Sequence, residues 1–334
     1  MQTNEKRKEI GIICGLGIGL LVLFLLSMSV GRYGVPLNEV FRFLTGQEIS
    51  DLSYRVLRFL RLPRTLLSIL IGAALATSGA IYQSAFNNKL VSPDLLGVSS
   101  GAGVGACIGI LLGLASPWIG LFAFVSGILA VLLTVGIARA FGNRNHVILL
   151  LSGIAVGGLT SSLIGLAKYL ADSELKLAEM TYWLLGDISG STMNDVWFML
   201  PITVLFCGIA IILSFQLNVV SLGKRDSVSL GVNYPVVIGL LILSATMLTA
   251  EAVSVSGTVG WIGLVIPNIV RLIVGSDNRK VVPISMLGGS CFMIVTDMLA
   301  RSLAPNEIPL GVITGILGTP LFLVSIFAKR KEIT

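Results

Sequence analysis

Charged side chains are scarce in this 334-residue chain, where only 12% of residues are Asp, Glu, Lys or Arg. A soluble domain carries about 25%, so too few polar groups exist here to clothe a water-facing surface. Histidine is nearly absent. His146 is the only one, which argues against a histidine-based zinc site. Cys14, Cys107, Cys207 and Cys291 lie far apart in apolar runs with no CxxC, so neither a metal clip nor a disulfide framework is indicated. The chain has no GxxxxGK followed by Ser or Thr to cradle ATP phosphates, and no HExxH. Ser152-Gly153 and similar pairs lack the strand-to-helix setting of a G-x-S-x-G elbow and a histidine partner, which speaks against an intramembrane hydrolase. The short alternating strands of a membrane β-barrel are missing as well.

What remains is apolar: 54% of residues are hydrophobic, and they fall in runs of the roughly 20 residues that cross a bilayer as a helix. Lipid offers free backbone groups no partner, so helices are the expected spanning form. About ten spans are predicted: Ile10–Val30, Leu62–Phe86, Leu95–Leu114, Pro117–Phe141, Val147–Leu170, Val196–Phe215, Tyr234–Val255, Val259–Val274, Val281–Leu303 and Leu310–Ala328. A shorter apolar piece, Leu177–Leu185, is expected to be re-entrant or interfacial. Lys6-Arg7-Lys8 before an apolar run resembles a signal peptide. The run exceeds an h-region of about 7–15 residues and no A-x-A site follows, so an uncleaved first span is expected.

The net charge of +6 would suggest nucleic acid in a soluble protein; here it is read as loop charge, and no nucleic-acid partner is expected. With the N-terminus inside, Lys6, Arg7, Lys8, Lys89, Arg139, Arg144, Lys224, Arg225, Arg271, Arg279, Lys280, Lys329, Arg330 and Lys331 all fall on the cytoplasmic side, as the positive-inside rule requires. An even number of spans returns the C-terminus there. One cluster breaks the pattern: Arg55, Arg58, Arg61 and Arg64 lie outside, three residues apart, with Pro63 suited to a first helical turn. Two readings stand. The arginines reach lipid phosphate, or they form a basic dock for an acidic extracellular partner.

Glycine occurs 38 times. Gly97, Gly101, Gly105, Gly109 and Gly113 recur every fourth residue through the third span, a stripe expected to let another helix approach closely. Gly153 with Gly157 and Gly311 with Gly315 repeat the device. Ser78-Gly79 and Ser256-Gly257 hint at an internal repeat. An ion-coupled carrier would place carboxylates near the bilayer midplane. The candidates are Glu251 and Asp297, the latter four residues before Arg301 in the favourable order for a helical ion pair.

Several ordered motifs carry a resemblance. Arg61-Leu-Pro-Arg64, Gly72-Ala-Ala-Leu-Ala-Thr-Ser-Gly79 and Leu95-Leu-Gly-Val-Ser-Ser-Gly-Ala102 are followed by Gly260-Trp-Ile-Gly-Leu-Val-Ile-Pro267, Ile269-Val-Arg271 and Gly275-Ser-Asp277. Asp297-Met-Leu-Ala-Arg301, Pro309-Leu-Gly-Val-Ile-Thr-Gly315 and Gly318-Thr-Pro320 complete the set. From the second span to the C-terminus the chain resembles the FecCD family of ABC-importer permeases, which serve iron–siderophore, haem and cobalamin uptake. Four residues depart from the family pattern: Asn268, Lys89, Thr258 and Asp187.

The resemblance implies an all-α polytopic protein of type II ABC importer permease architecture, with both termini cytoplasmic, in a bacterial inner or plasma membrane. It implies a single permease domain, 1–334, with residues 1–9, 217–232 and 329–334 cytoplasmic. It implies a second permease, identical or paralogous, two cytoplasmic ATPase subunits and an extracytoplasmic binding protein that delivers a metal chelate. ATP and Mg would sit on the ATPase; no catalytic residue, metal site or bound cofactor is expected in this chain. By resemblance Arg61, Arg64 and Arg301 dock the binding protein. Lys224, Arg225, Asp226, Ser227, Leu230 and Gly231 couple to the ATPase. Asn88 and Leu90 lie near the cytoplasmic gate, and Leu177–Leu185 near the outer one. The function implied is import of an iron(III)–siderophore-type chelate. The alternatives are a haem or cobalamin permease, an ion-coupled secondary transporter, and an intramembrane enzyme.

Overall fold

The computed structural model describes residues 2–141 and 146–330, and every regular element among them is helical. Long helices are α1 (Gln2–Ser29), α4 (Leu62–Ala85), α6 (Ser116–Ala140), α7 (His146–Tyr169), α9 (Met193–Ile212), α12 (Tyr234–Ser256), α14 (Asn278–Ala300) and α15 (Leu310–Arg330). All eight contain a stretch long and apolar enough to cross a membrane. Two shorter apolar helices, α5 (Val98–Leu111) and α13 (Ile262–Val274), fall where the third and eighth spans are expected. Shorter still are α2 (Leu37–Leu44), α3 (Asp51–Arg55), α8 (Glu174–Leu185), α10 (Ser214–Val220) and α11 (Lys224–Ser229). A π-helical turn, Val56–Arg61, leads into α4 and a 3-10 turn, Pro93–Leu96, leads into α5.

The helix α4 is the axis of the bundle. In the most apolar stretch of its span 83% of residues are buried, against 6% along α1, so α4 is surrounded by the rest of the chain and α1 lies at its periphery. Its sequence explains this: Gly72-Ala-Ala-Leu-Ala-Thr-Ser-Gly79 is a run of small side chains, and small residues let helix backbones approach closely in a membrane. A Cβ on Gly72 would overlap the Gly289 carbonyl of α14, and one on Gly289 would overlap Gly72 in return. A Cβ on Gly79 would overlap the Gly263 carbonyl of α13. Within this seam the Ser78 hydroxyl bonds to Thr249 at 2.7 Å and Tyr82 to Thr246 at 2.9 Å, tying α4 to α12.

The expected glycine stripe splits into two kinds of position. Gly101, Gly105 and Gly109 do face α6: a Cβ there would run into Ala130, the Phe122 carbonyl and Ile119 respectively. Gly97 and Gly113 instead lie outside α5, with φ of +81° and +67°, turn conformations that glycine adopts without strain.

The chain direction alternates, so the bundle has two faces. The near face holds the starts of α1 and α14, bridged by Lys280 Nζ to Glu9 at 3.4 Å. The far face holds the end of α1, the start of α4 and the end of α14. Among the basic residues expected on one side, Arg144 and Lys331 lie outside the described residues, as do the side chains of Lys6, Lys8, Lys329 and Arg330.

Candidate functional site

At 1.5 Å per residue, α5 and α13 are about 21 Å and 20 Å long, shorter than the roughly 30 Å hydrocarbon core. Each is therefore too short to cross alone, and each follows a break in the α-helical backbone (residues 86–97, which include the 3-10 turn, and 257–261). Non-helical backbone at membrane depth is tolerated where protein buries it or where it lines a cavity. Both conditions hold here. The two stretches border one cavity of about 310 Å³, lined by Asp94, Ser99, Leu184, Leu185, residues 258–261 and Gly311.

Side chains satisfy the freed backbone groups. Gln83 donates to the carbonyls of Gly263 (3.2 Å) and Leu264 (3.1 Å). Asn268 donates to Lys89 O at 2.9 Å, and the Thr258 hydroxyl donates to Leu184 O. Two departures from the family pattern thus carry local backbone bonds. A third, Asp187, accepts from Ser189 N at 2.7 Å and closes the turn after α8. Trp261 adopts φ +70°, uncommon for a bulky residue. Its ring meets Phe322 edge-on at 6.4 Å, and Gly318 clears the space beside its Cβ.

The helix α8, at the expected place of Leu177–Leu185, separates this cavity from a second of about 760 Å³ on the far face. Leu185 lines both. The second is walled by α8 and by the 304–309 loop, including Glu307. Leu310 N bonds Gly186 O at 2.9 Å, and a Cβ on Gly311 would reach Leu185 O at 2.6 Å, so α15 closes tightly on the end of α8. Asn88 and Leu90 are exposed in the loop after α4, with Leu90 N bonded to Asn88 Oδ1 at 3.0 Å. Neither is among the residues lining these two cavities.

On the far face the structure brings Arg61, Arg64 and Arg301 together, but turns them inward. Each is 5–7% exposed. Arg64 Nε donates to Asp297 at 2.5 Å and Arg64 Nη1 to Glu307 at 2.7 Å. Arg301 Nε lies 3.4 Å from the other Asp297 oxygen, and Arg301 Nη2 donates to Ser27 O at 2.8 Å. Arg61 closes the C-terminus of α1, donating to the carbonyls of Met28 (3.1 Å), Tyr33 (2.5 Å) and Val30. Met28 O belongs to the last turn of α1, where carbonyls lack helical partners and carry the negative end of the helix dipole, so a guanidinium suits it. The two arginines earlier in the cluster, Arg55 and Arg58, are the exposed ones. Sequence spacing found the cluster; it missed Glu307, whose pairing with Arg64 spans 243 positions.

On the near face Arg271 of α13 is buried and donates to Gln83 and to Ser84 Oγ, the latter at 2.9 Å. Ser84 in turn donates to Asn278 at 2.7 Å. The expected coupling stretch, 217–232, proves to be the end of α10, a turn and α11. Ser227 is buried and bonds Val219 O at 2.9 Å. Lys224, Arg225, Asp226, Leu230 and Gly231 are exposed. Asn218 of α10 donates to Asp277 at 2.7 Å and accepts from Asn278 N at 2.8 Å, fastening this outer layer to α14. The Arg279 guanidinium donates to both oxygens of Asp277 and holds that carboxyl down at about 2; burial opposes the shift and Asn218 adds to it.

Glu251 is fully buried on α12 and accepts from Thr203 at 2.7 Å. Neither it nor Asp297 is among the residues lining the two cavities.

Two short helices that each follow a break and meet at one cavity resemble the discontinuous helices that line substrate sites in membrane transporters. Comparison with known proteins gives the class. Residues 19–328 match the model of the FecCD transport family, and the chain belongs to it. The molybdate import system permease protein of Haemophilus influenzae is 32% identical over 96% of both chains. The hemin transport system permease protein of Yersinia pestis is 35% identical over 95% of this chain and 96% of that one. A probable iron chelatin transport system permease protein of Helicobacter pylori is 37% identical over 89% of each. Among solved structures, a chain described as a metal-chelate type ABC transporter in an inward-facing conformation superposes with a TM-score of 0.85 at 31% identity. That match covers 95% of this chain and 99% of the other. This chain is an ABC importer permease of the FecCD type, a multi-pass membrane protein.

Proposed function

We propose that the chain forms the translocation path for an iron(III)–siderophore-type chelate in the inner or plasma membrane of a bacterium. The observation that carries the reading is the cavity where the two broken spans meet, with α8 standing between it and the far-face cavity. A cargo crossing from the far face has to pass α8, and small shifts of packed helices are a known means of switching access. The substrate class draws support from the relatives named for hemin and iron chelatin. Haem and cobalamin are the alternative cargoes.

In this reading residues 1–334 are one permease domain, with 1–9, 217–232 and 329–334 in the cytoplasm. A second permease, identical or paralogous, completes the path. Two ATPase subunits hold ATP and Mg; this chain binds neither. Lys224, Arg225, Asp226, Leu230 and Gly231 meet the ATPase, and Ser227 anchors their helix. Asn88 and Leu90 lie beside the cytoplasmic gate. An extracytoplasmic binding protein docks on the arginine cluster. Since Arg61, Arg64 and Arg301 are engaged within the chain, its carboxylates meet Arg55 and Arg58 first.

The test is radioiron uptake by cells carrying the complete importer, with Lys224→Glu and Arg225→Glu combined. Uptake should fall to the level seen with an ATPase that cannot bind ATP, while the amount of chain in the membrane stays unchanged. Wild-type uptake in the double variant would contradict the coupling assignment. Uptake that persists without a working ATPase would instead favour an ion-driven carrier.

A further inference from the structure

Nothing in the family assignment settles which cargo passes, since relatives are named for an oxyanion, an iron porphyrin and an iron chelate. The cavity at the helix breaks bears on that choice. Among the described residues that line it, Asp94 alone is ionisable; the others are hydroxyl-bearing, apolar, aromatic or glycine. No lysine, arginine or histidine is among these described residues. Asp94 sits in the 3-10 turn before α5, and its side chain is exposed, opening into the cavity. The Ser99 hydroxyl, from the first turn of α5, donates to Asp94 Oδ1 and fixes where the carboxylate points.

A helix N-terminus inside a membrane protein ordinarily attracts an anion. At α5 the chain's own carboxylate stands beside that position, held by the Ser99 hydroxyl of the first helical turn, so an anionic cargo group approaching the helix end also approaches Asp94. The cavity wall mixes hydroxyl-bearing and apolar side chains, and near a protein surface a charge acts on a neighbouring charge more strongly than in bulk water. A negative cargo group would meet Asp94 without a compensating cation in the wall. A cationic group, or a donor N–H or O–H, would meet an acceptor.

We propose that Asp94 selects cargo by charge, so that the path admits cationic or uncharged, donor-bearing metal chelates and rejects oxyanions and polyanionic chelates. The proposal deepens the import reading above and rests on it. Where a second copy of this chain completes the path, a second Asp94 reinforces the effect.

The experiment measures uptake in cells carrying the complete importer, with four probes. These are radioiron bound to a linear trihydroxamate bearing a free ammonium, radioiron bound to a neutral cyclic trihydroxamate, radioiron bound to a tricatecholate, and radiolabelled molybdate. Wild type should take up the first two and leave the tricatecholate and molybdate at background. Asp94→Asn keeps an acceptor for Ser99 and removes the charge. It should lower uptake of the cationic chelate relative to the neutral one on the order of tenfold, the scale of a charge pair roughly 10 Å apart near a protein surface. Asp94→Lys should reverse the preference and raise tricatecholate relative to cationic chelate. Membrane levels of each variant, read from a C-terminal tag, separate selectivity from loss of protein. Ratios unchanged in both variants would overturn the proposal. So would wild-type uptake of molybdate or tricatecholate as efficient as that of the trihydroxamates, or wild-type uptake of neither trihydroxamate. Uptake that survives an ATPase unable to bind ATP would sink the import reading instead, and the two failures are told apart by that control.

Discussion

Asp297→Ala is expected to destabilise the chain by about 3–5 kcal/mol, the cost of removing one partner from a buried ion pair. The carboxylate is fully buried between Arg64 and Arg301, and both guanidiniums are nearly so. Without it, among the described residues, Arg64 keeps only Glu307 and Arg301 keeps only neutral partners on Ser27. The Ser27 hydroxyl also bonds Thr65 at 2.8 Å, so the loss reaches the joint between α1, α4 and α14. Asp297→Asn, which keeps the shape and one acceptor, should cost less. The check is thermal unfolding of the detergent-solubilised chain, followed by the loss of monodisperse protein. Equal melting of wild type and Asp297→Ala would show that the arginines find other partners.

Gly79→Val should prevent the bundle from closing. A Cβ there has nowhere to go, because the carbonyl it would overlap belongs to the Gly263 backbone and cannot swing aside as a side chain can. Separating α4 from α13 would also stretch the Gln83 bonds to Gly263 and Leu264 and open the seam beside the cavity. Close backbone approach at small residues is what holds transmembrane helices together, so folded protein should be lost rather than merely reduced in activity. Gly136→Ala is the matched control. Nothing lies within 4 Å of a Cβ at Gly136 on α6, and alanine is the better helix former by roughly 1 kcal/mol. Membrane levels after mild-detergent extraction should drop to near background for Gly79→Val and hold for Gly136→Ala. Normal recovery of Gly79→Val would mean that the crossing is looser than this packing implies.

Much of the fold was legible because spans leave a strong one-dimensional signal. The ten expected spans coincide with eight long helices and the two short ones, and Leu177–Leu185 falls within α8. What the apolar runs could not convey was where a helix starts. Leu95–Leu114 reads as one continuous stretch, yet α5 begins only at Val98, after a turn that Gly97 makes at positive φ. The same continuity hid the break before Ile262. The amphipathic helix α2 also escaped notice, being too short to register as a span.

The candidate site was legible in its parts and not in its arrangement. Arg61 and Arg64 stood out because they break the charge pattern, and Arg301 because Asp297 precedes it by one turn. Whether a guanidinium faces water or a buried carboxylate depends on Glu307 and on the carbonyls closing α1, both far away in sequence. Asp94 drew no attention, since a lone carboxylate in a loop reads as solvated. Only the meeting of residues 93–99 with the ends of α8, α12 and α15 makes it the charged group of a cavity.

The account as a whole is tested most directly by uptake into sealed lipid vesicles holding either the permease alone or the permease with its ATPase. Both preparations carry the binding protein on the outside and ATP within. Radioiron chelate should accumulate above its outside concentration only in the vesicles that contain the ATPase, and an imposed proton or sodium gradient should not replace it. Accumulation by the permease alone under such a gradient would contradict the account.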